Sequence, residues 1–304
     1  MRVIIPGGSG LIGAALSTEL IKNGYEVFIL SRQPDRQKEK LPEGVRAVGW
    51  DGKSAAGWGS LADGAKAIVN LAGENLAAGR WTEARKQAIR DSRVHAGQAI
   101  VQAVDGAGQK PEVVIQASGV GYYGPRQDEL VDESGAPGAD FSSRVCIEWE
   151  NATARVEGLG VRRAIIRMGV SLSLHGGALP RMLLPFRLFV GGKIGSGRQY
   201  LSWIHLADTV AGIRFLIENP ALAGIFNLTS PYPATNAEFS RAIGRAMHRP
   251  ALMPVPAFAM RLVFGELSSV LLEGQRVIPA RLNEAGFKFQ YPQAEAALRD
   301  VLRG

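Results

Sequence analysis

Met1-Arg2-Val3-Ile4-Ile5-Pro6-Gly7-Gly8-Ser9-Gly10-Leu11-Ile12-Gly13 is the stretch on which the fold turns. An apolar run at residues 3–5 ends in a glycine-rich turn, and an amphipathic stretch over residues 11–22 follows directly. The order predicts strand, tight turn and helix. A helix entered this way points unpaired backbone N–H groups, and the positive end of its dipole, at whatever lies above the turn. Gly7 allows the sharp turn, Gly10 lets a diphosphate approach the backbone, and Gly13 lets helix and strand pack closely.

Working outward, the pattern repeats. Residues 25–30, 45–48, 67–71, 113–117 and 162–167 read as further strands, alternating with helical stretches. Thr82 caps a long helix to about residue 104, with Arg85, Arg90 and Arg93 among its polar positions; residues 142–157 read as one helix. Residues 128–138 are acidic and loop-like. The alternation predicts an α/β fold, a Rossmann-like doubly wound parallel sheet with its ligand at the carboxyl ends of the strands. After Met168 glycines break up the chain, residues 225–228 form a further strand, and residues 236–247 a helix capped by Asn236 or Thr235. Asp208 reads as an N-cap or first-turn acid rather than a catalytic group. We expect residues 1–170, with 201–230 returning to them, to form the dinucleotide-binding domain. Residues 171–200 and 231–304 form a smaller substrate or cap region, with a C-terminal domain at about 250–300.

Where the second strand ends, at Ser31-Arg32, a dinucleotide fold meets the adenosine ribose. An acid there would accept from a 2′-hydroxyl. A hydroxyl and a guanidinium suit a 2′-phosphate instead, so NADP(H) is expected over NAD.

Composition narrows the class. The chain has 304 residues, 46% of them apolar, enough for a substantial core. No run reaches the roughly 20 apolar residues of a membrane span, and residues 3–5 lead into glycine rather than a leader's long apolar core. One cysteine, Cys146, and four scattered histidines exclude a disulfide and give no metal cluster. The net charge of +7 comes mostly from arginines spread along the chain, without a basic block interleaved with aromatics. The expectation is a cytoplasmic protein with a small-molecule substrate and neither nucleic acid nor membrane as partner. Monomer and homodimer both stay open.

Further segments carry a family resemblance. They are Asn70-Leu71-Ala72-Gly73-Glu74-Asn75, Gly119-Val120-Gly121-Tyr122-Tyr123-Gly124, Leu184-Pro185-Phe186-Arg187, Gly195-Ser196-Gly197-Arg198-Gln199 and Trp203-Ile204-His205, with Leu272 to Pro279 and Gly286-Phe287-Lys288-Phe289 near the end. Together with the glycine turn, these make the whole chain resemble the atypical extended short-chain dehydrogenase/reductases called nucleoside-diphosphate-sugar epimerase-like (the YfcH-like group), which end in a domain of unknown function. The resemblance implies NADP(H) binding by Gly7, Gly10, Leu11 and Ile12 in the turn, then Ser31 and Arg32. It adds Leu71, Ala72 and Gly73, then Arg93, and the backbone at Val170 and Ser171. It also exposes a departure. Ordinary members of the superfamily carry a Tyr-x-x-x-Lys pair on the helix before the sixth strand. Here that helix reads Ser142-Ser143-Arg144-Val145-Cys146-Ile147-Glu148-Trp149-Glu150-Asn151, with neither tyrosine nor lysine. If Glu150 stands where an acid commonly follows the pair, Ser142 and Cys146 take the places of Tyr and Lys. Candidates for proton handling are therefore Tyr122, Tyr123 and Ser118 on the neighbouring loop, against packing roles for the same aromatics. Gln199, Trp203 and His205 are candidates for substrate contact, with a structural role for His205 favoured over acid/base chemistry.

Overall fold

The computed structural model describes residues 1–38 and 41–303. Seven parallel strands form one sheet: β1 (Arg2–Pro6), β2 (Glu26–Ser31), β3 (Val45–Gly49), β4 (Ala67–Asn70), β5 (Val113–Gly119), β6 (Arg162–Met168) and β7 (Gly224–Leu228). Their spatial order is β3-β2-β1-β4-β5-β6-β7. The chain builds outward from β1 to one edge, returns, and builds from β4 to the other. The order therefore reverses between β1 and β4, and loops diverge there to leave a crevice at the carboxyl ends.

The principal helices are α1 (Leu11–Lys22), α2 (Glu83–Gly106), α3 (Phe141–Asn151), α4 (Leu179–Arg187), α5 (Leu206–Glu218), α6 (Asn236–Met247), α7 (Ala257–Phe264) and α8 (Ala294–Arg303). Successive strand residues face opposite ways, so one strand feeds two cores. Val3 and Ile5 pack with Leu16 and Leu20 of α1 and with Ile213 and Leu216 of α5. Ile4 packs on the other face with Ala96 and Ile100 of α2. A third core gathers Leu172, Leu183, Phe186, Trp203, Phe239 and Leu298 from both sides of β7 in the sequence. Local chemistry fixes the helix starts. Thr82 accepts from the Arg85 N–H, Asp140 from the Ser143 N–H, and Thr235 with Glu238 makes a reciprocal capping box.

Two local readings are corrected, and a third is met with an added role. The helix expected over residues 142–157 ends at Asn151, turns through 152–154, and resumes only as Arg155–Gly158. The turn packs tightly on α2, where a Cβ on Gly97 would sit 2.5 Å from that of Ala152. The acidic stretch 128–138 contains a two-residue strand, Leu130–Val131, paired in parallel with Arg276–Val277. Asp208 lies in the first turn of α5, as expected, and is also fully buried, its carboxylate accepting from the Gln290 and Tyr291 N–H groups at 2.7 and 3.0 Å. It ties the C-terminal segment to α5, and the helix start itself is capped by His205.

Candidate functional site: a dinucleotide cleft at the strand ends

Gly7 has φ +80°, and a Cβ on it would lie 2.6 Å from the Leu71 carbonyl carbon, so only glycine fits beneath the chain leaving β4. Gly13 is closed in by the backbone of Gly7 and Gly8 at 2.5–2.8 Å. Gly10 is different. A Cβ there would meet only the Gly7 carbonyl oxygen, at 3.3 Å, and no side chain caps the helix it opens. The face above Gly10 is thus open, while the first-turn N–H groups of Leu11 and Ile12 lack intrahelical acceptors. No acid occupies that first turn. A diphosphate fits this cradle by shape and by charge.

The flanking residues extend it. Ser31 ends β2, and its Oγ accepts from the Gln33 N–H at 3.1 Å, shaping the turn that presents Arg32. The Arg32 side chain is 75% exposed, with its Nη2 3.7 Å from Glu74 Oε1, and Arg85 Nη1 holds the other oxygen of that carboxylate at 3.3 Å. Beyond β4, Leu71 N–H donates to the Pro6 carbonyl and the Ala72 N–H to Asn70 Oδ1, so β4 leaves the sheet pressed against the glycine turn. A Cβ on Gly73 would lie 2.9 Å from Arg93 Cζ. Arg93 is itself buried, stacks on Trp149, and donates to the Glu74 and Ile89 carbonyls. Burial pushes its pKa down to about 10. It supports the 73–74 loop from below. Val170 and Ser171 follow β6, and Gly177 beyond them packs on Leu11, bringing this segment over the start of α1. The predicted cofactor residues therefore converge on one sheet edge.

The predicted catalytic group divides. Ser118, buried, donates to Glu150 Oε1 at 2.6 Å. Tyr123 is 0% exposed; its hydroxyl donates to Asn227 Oδ1 at 2.6 Å and accepts from Arg167 Nη1 at 3.1 Å. Burial raises its pKa above 10, and the adjoining Arg167 only partly opposes this. Both groups serve a buried network rather than the cleft. Tyr122 is half-buried, with the Arg167 guanidinium 3.3 Å from its ring centroid. Ser142 and Cys146 of α3 face the same loop: a Cβ on Gly121 would meet Ser142 Cβ at 3.2 Å and Cys146 Sγ at 3.9 Å. Burial pushes the Cys146 thiol up to about 11, which leaves it inert at neutral pH.

The residues expected to touch substrate are engaged in packing, capping and backbone contacts, with Trp203 and His205 on a strand paired with residues 170–172. Trp203 is fully buried against Phe239. His205 Nδ1 accepts from the Ala207 N–H as the cap of α5, and Nε2 lies 3.3 Å from Asp300. Gln199 spans two segments, donating to the Ile194 and Leu271 carbonyls. Arg167 escaped the reading of the sequence, although a charge inside the apolar run Ala164-Ile165-Ile166-Arg167-Met168 signals a buried partner. Among the described residues no group of His, Cys, Asp or Glu could hold a metal ion, and no helix is long and apolar enough to cross a membrane.

A sheet that reverses at β1/β4 over a glycine turn defines a dinucleotide-binding α/β protein. Residues 3–229 match the NAD dependent epimerase/dehydratase family, and residues 255–301 match a domain of unknown function, DUF1731. The chain belongs to that epimerase family. It is 39% identical over 307 residues to the mouse epimerase family protein SDR39U1, covering 99% of this chain and 100% of that one. It is 36% identical over 303 residues to YfhF of Bacillus subtilis, covering 99% and 98%. The crystal structure of human SDR39U1 (isoform 2) with NADPH superposes with a TM-score of 0.91 at 37% identity, over the whole of both chains. UDP-glucose 4-epimerase of Thermus thermophilus shares the fold, with a TM-score of 0.76 at 18% identity.

Proposed function

We propose that this chain is an NADP(H)-dependent epimerase or oxidoreductase acting on a small polar substrate, a nucleotide sugar being one such compound. The open face at Gly10, beside Ser31 and Arg32, carries the reading. The N–H groups of Leu11 and Ile12 hold the diphosphate, and Ser31 and Arg32 hold the 2′-phosphate. Leu71, Ala72, Gly73, Val170 and Ser171 flank the dinucleotide, with Arg93 supporting its loop. The human relative whose structure contains NADPH supports the same cofactor. NADPH, when bound, supplies a hydride. Residues 1–170 and 201–230 form the cofactor domain in this reading, and the remainder forms a cap. A cytoplasmic setting suits the one buried thiol.

Proton handling falls to Tyr122. Ser118 and Tyr123 are closed off, and α3 offers Ser142 and Cys146 where the superfamily carries its tyrosine and lysine. Tyr122→Phe is expected to abolish turnover and leave NADPH affinity intact, measured on a panel of sugar nucleotides and small carbonyl compounds. A second reading, a redox-inert NADP(H) sensor, is favoured by the inert face of α3. It prevails if NADPH binds tightly and no member of the panel is turned over.

A further inference from the structure

On a surface formed by the 188–190 and 248–254 loops, two apolar tips sit side by side. Leu188, Phe189 and Val190 follow α4, and Leu252 and Met253 follow α6; all five are exposed, Leu252 by 83%. The tips are fastened together. Met253 N–H donates to the Gly191 carbonyl and Val255 N–H to that of Lys193. Phe189 has φ +61°, a left-handed conformation that a bulky residue rarely adopts, so the backbone holds its ring outward at a cost in strain. Arg249 lies 4.4 Å from the centre of that ring.

Beside the tips an open surface depression of about 620 Å³ is lined by Arg241, Arg245, His248, Arg249, Leu252 and Arg299. Glu295 pairs with Arg245 and Arg299 at once, at 2.6 Å each, so one carboxylate serves two guanidinium groups. The sequence carries no Asp or Glu between Glu157 and Asp208, nor between Glu238 and Glu266. Both loops lie inside those acid-free stretches.

We propose that this face docks on an anionic phospholipid bilayer, its five apolar side chains entering the acyl boundary and its arginines meeting the headgroup phosphates. Exposed leucine and phenylalanine collared by arginine is the chemistry of an interfacial contact. A second copy fits poorly, because a two-fold interface would set one basic patch against another, and the Glu295 carboxylate beside it is already held by Arg245 and Arg299. The expectation of no membrane partner rested on the lack of a span. Here the apolar surface is split between loops some sixty residues apart, where no hydropathy window detects it.

Co-sedimentation of the full chain with vesicles tests the proposal. Binding is expected to vesicles of phosphatidylcholine mixed with phosphatidylglycerol, not to phosphatidylcholine alone, and to fall as salt rises. Phe189→Asp/Leu252→Asp should abolish it. Arg245→Gln/Arg249→Gln should weaken it by about 25-fold, roughly fivefold per arginine. Unchanged circular dichroism and NADPH affinity in both variants would show that they fold. A wild-type chain that stays in the supernatant with both vesicles overturns the proposal, as does vesicle binding that neither variant alters. A dimer dissolved by the aspartate variant, or duplex DNA bound in place of vesicles, assigns the face to another partner and overturns it too.

Discussion

Arg167 and Glu150 form a two-pronged ion pair inside the fold, Nε to Oε1 and Nη2 to Oε2 at 2.9 Å each, with Arg167 only 1% exposed. Burial opposes the arginine's charge, but the hydrogen-bonded carboxylate more than offsets it and raises the guanidinium pKa. Ser118, Tyr122, Tyr123 and, through Tyr123, Asn227 are arranged around this pair. Glu150→Ala leaves the guanidinium buried without its counter-charge and should cost about 3–5 kcal/mol. The double variant Glu150→Met/Arg167→Met should lose less than the single one. Urea denaturation reads both, and a near-neutral single variant would refute the assignment.

Gly7 and Gly10 make a paired test because their surroundings differ. Gly7→Ala drives a Cβ to within 2.6 Å of the Leu71 backbone at φ +80°. It should cost several kcal/mol of stability, roughly 2–4 from strain and overlap, read by thermal denaturation. Gly10→Ala meets only the Gly7 oxygen at 3.3 Å. That chain should fold normally and lose about tenfold or more in NADPH affinity by fluorescence titration. Equal effects on folding from the two would contradict the cradle.

The contrast also shows what the sequence made legible. The glycine turn, the Thr82 cap and the run of strands were readable because each depends on neighbours within a few positions. The arrangement around Tyr123 was not. Its hydroxyl meets Asn227 and Arg167, 104 and 44 positions away, and only the β5-β6-β7 order brings them together. The packing of Trp203 and the capping by His205 were not legible for a related reason. Trp203 lies on a short strand that enters the third core, and His205 ends that strand as the cap of α5. A motif of the right residue types says nothing of which side of the chain faces the cleft.

His205 contributes to the pH dependence of stability just below neutrality. Burial holds its pKa below the usual 6.5, against the opposing attraction of Asp300. A histidine whose folded pKa is depressed binds fewer protons folded than unfolded. Its stabilising effect is therefore complete above about pH 6.5 and is lost progressively as pH falls from there to the folded value. Denaturation midpoints measured downward from neutrality should show this loss. His205→Asn, which keeps an acceptor for the Ala207 N–H, should flatten it, and an unchanged slope would exclude His205 as its source.

In the proposed reading Arg32 sets the preference for NADPH over NADH. Arg32→Ala removes one charged donor to the 2′-phosphate and should lower NADPH affinity about 10- to 100-fold, with little change toward NADH. An equal loss for both would mean that Arg32 acts on the fold instead.

The most direct measurement is a parallel titration of the purified chain with NADPH and NADH, followed by nicotinamide fluorescence. NADPH should bind saturably, at least about tenfold tighter than NADH. Binding of neither, or tighter binding of NADH, would contradict the NADP(H) assignment.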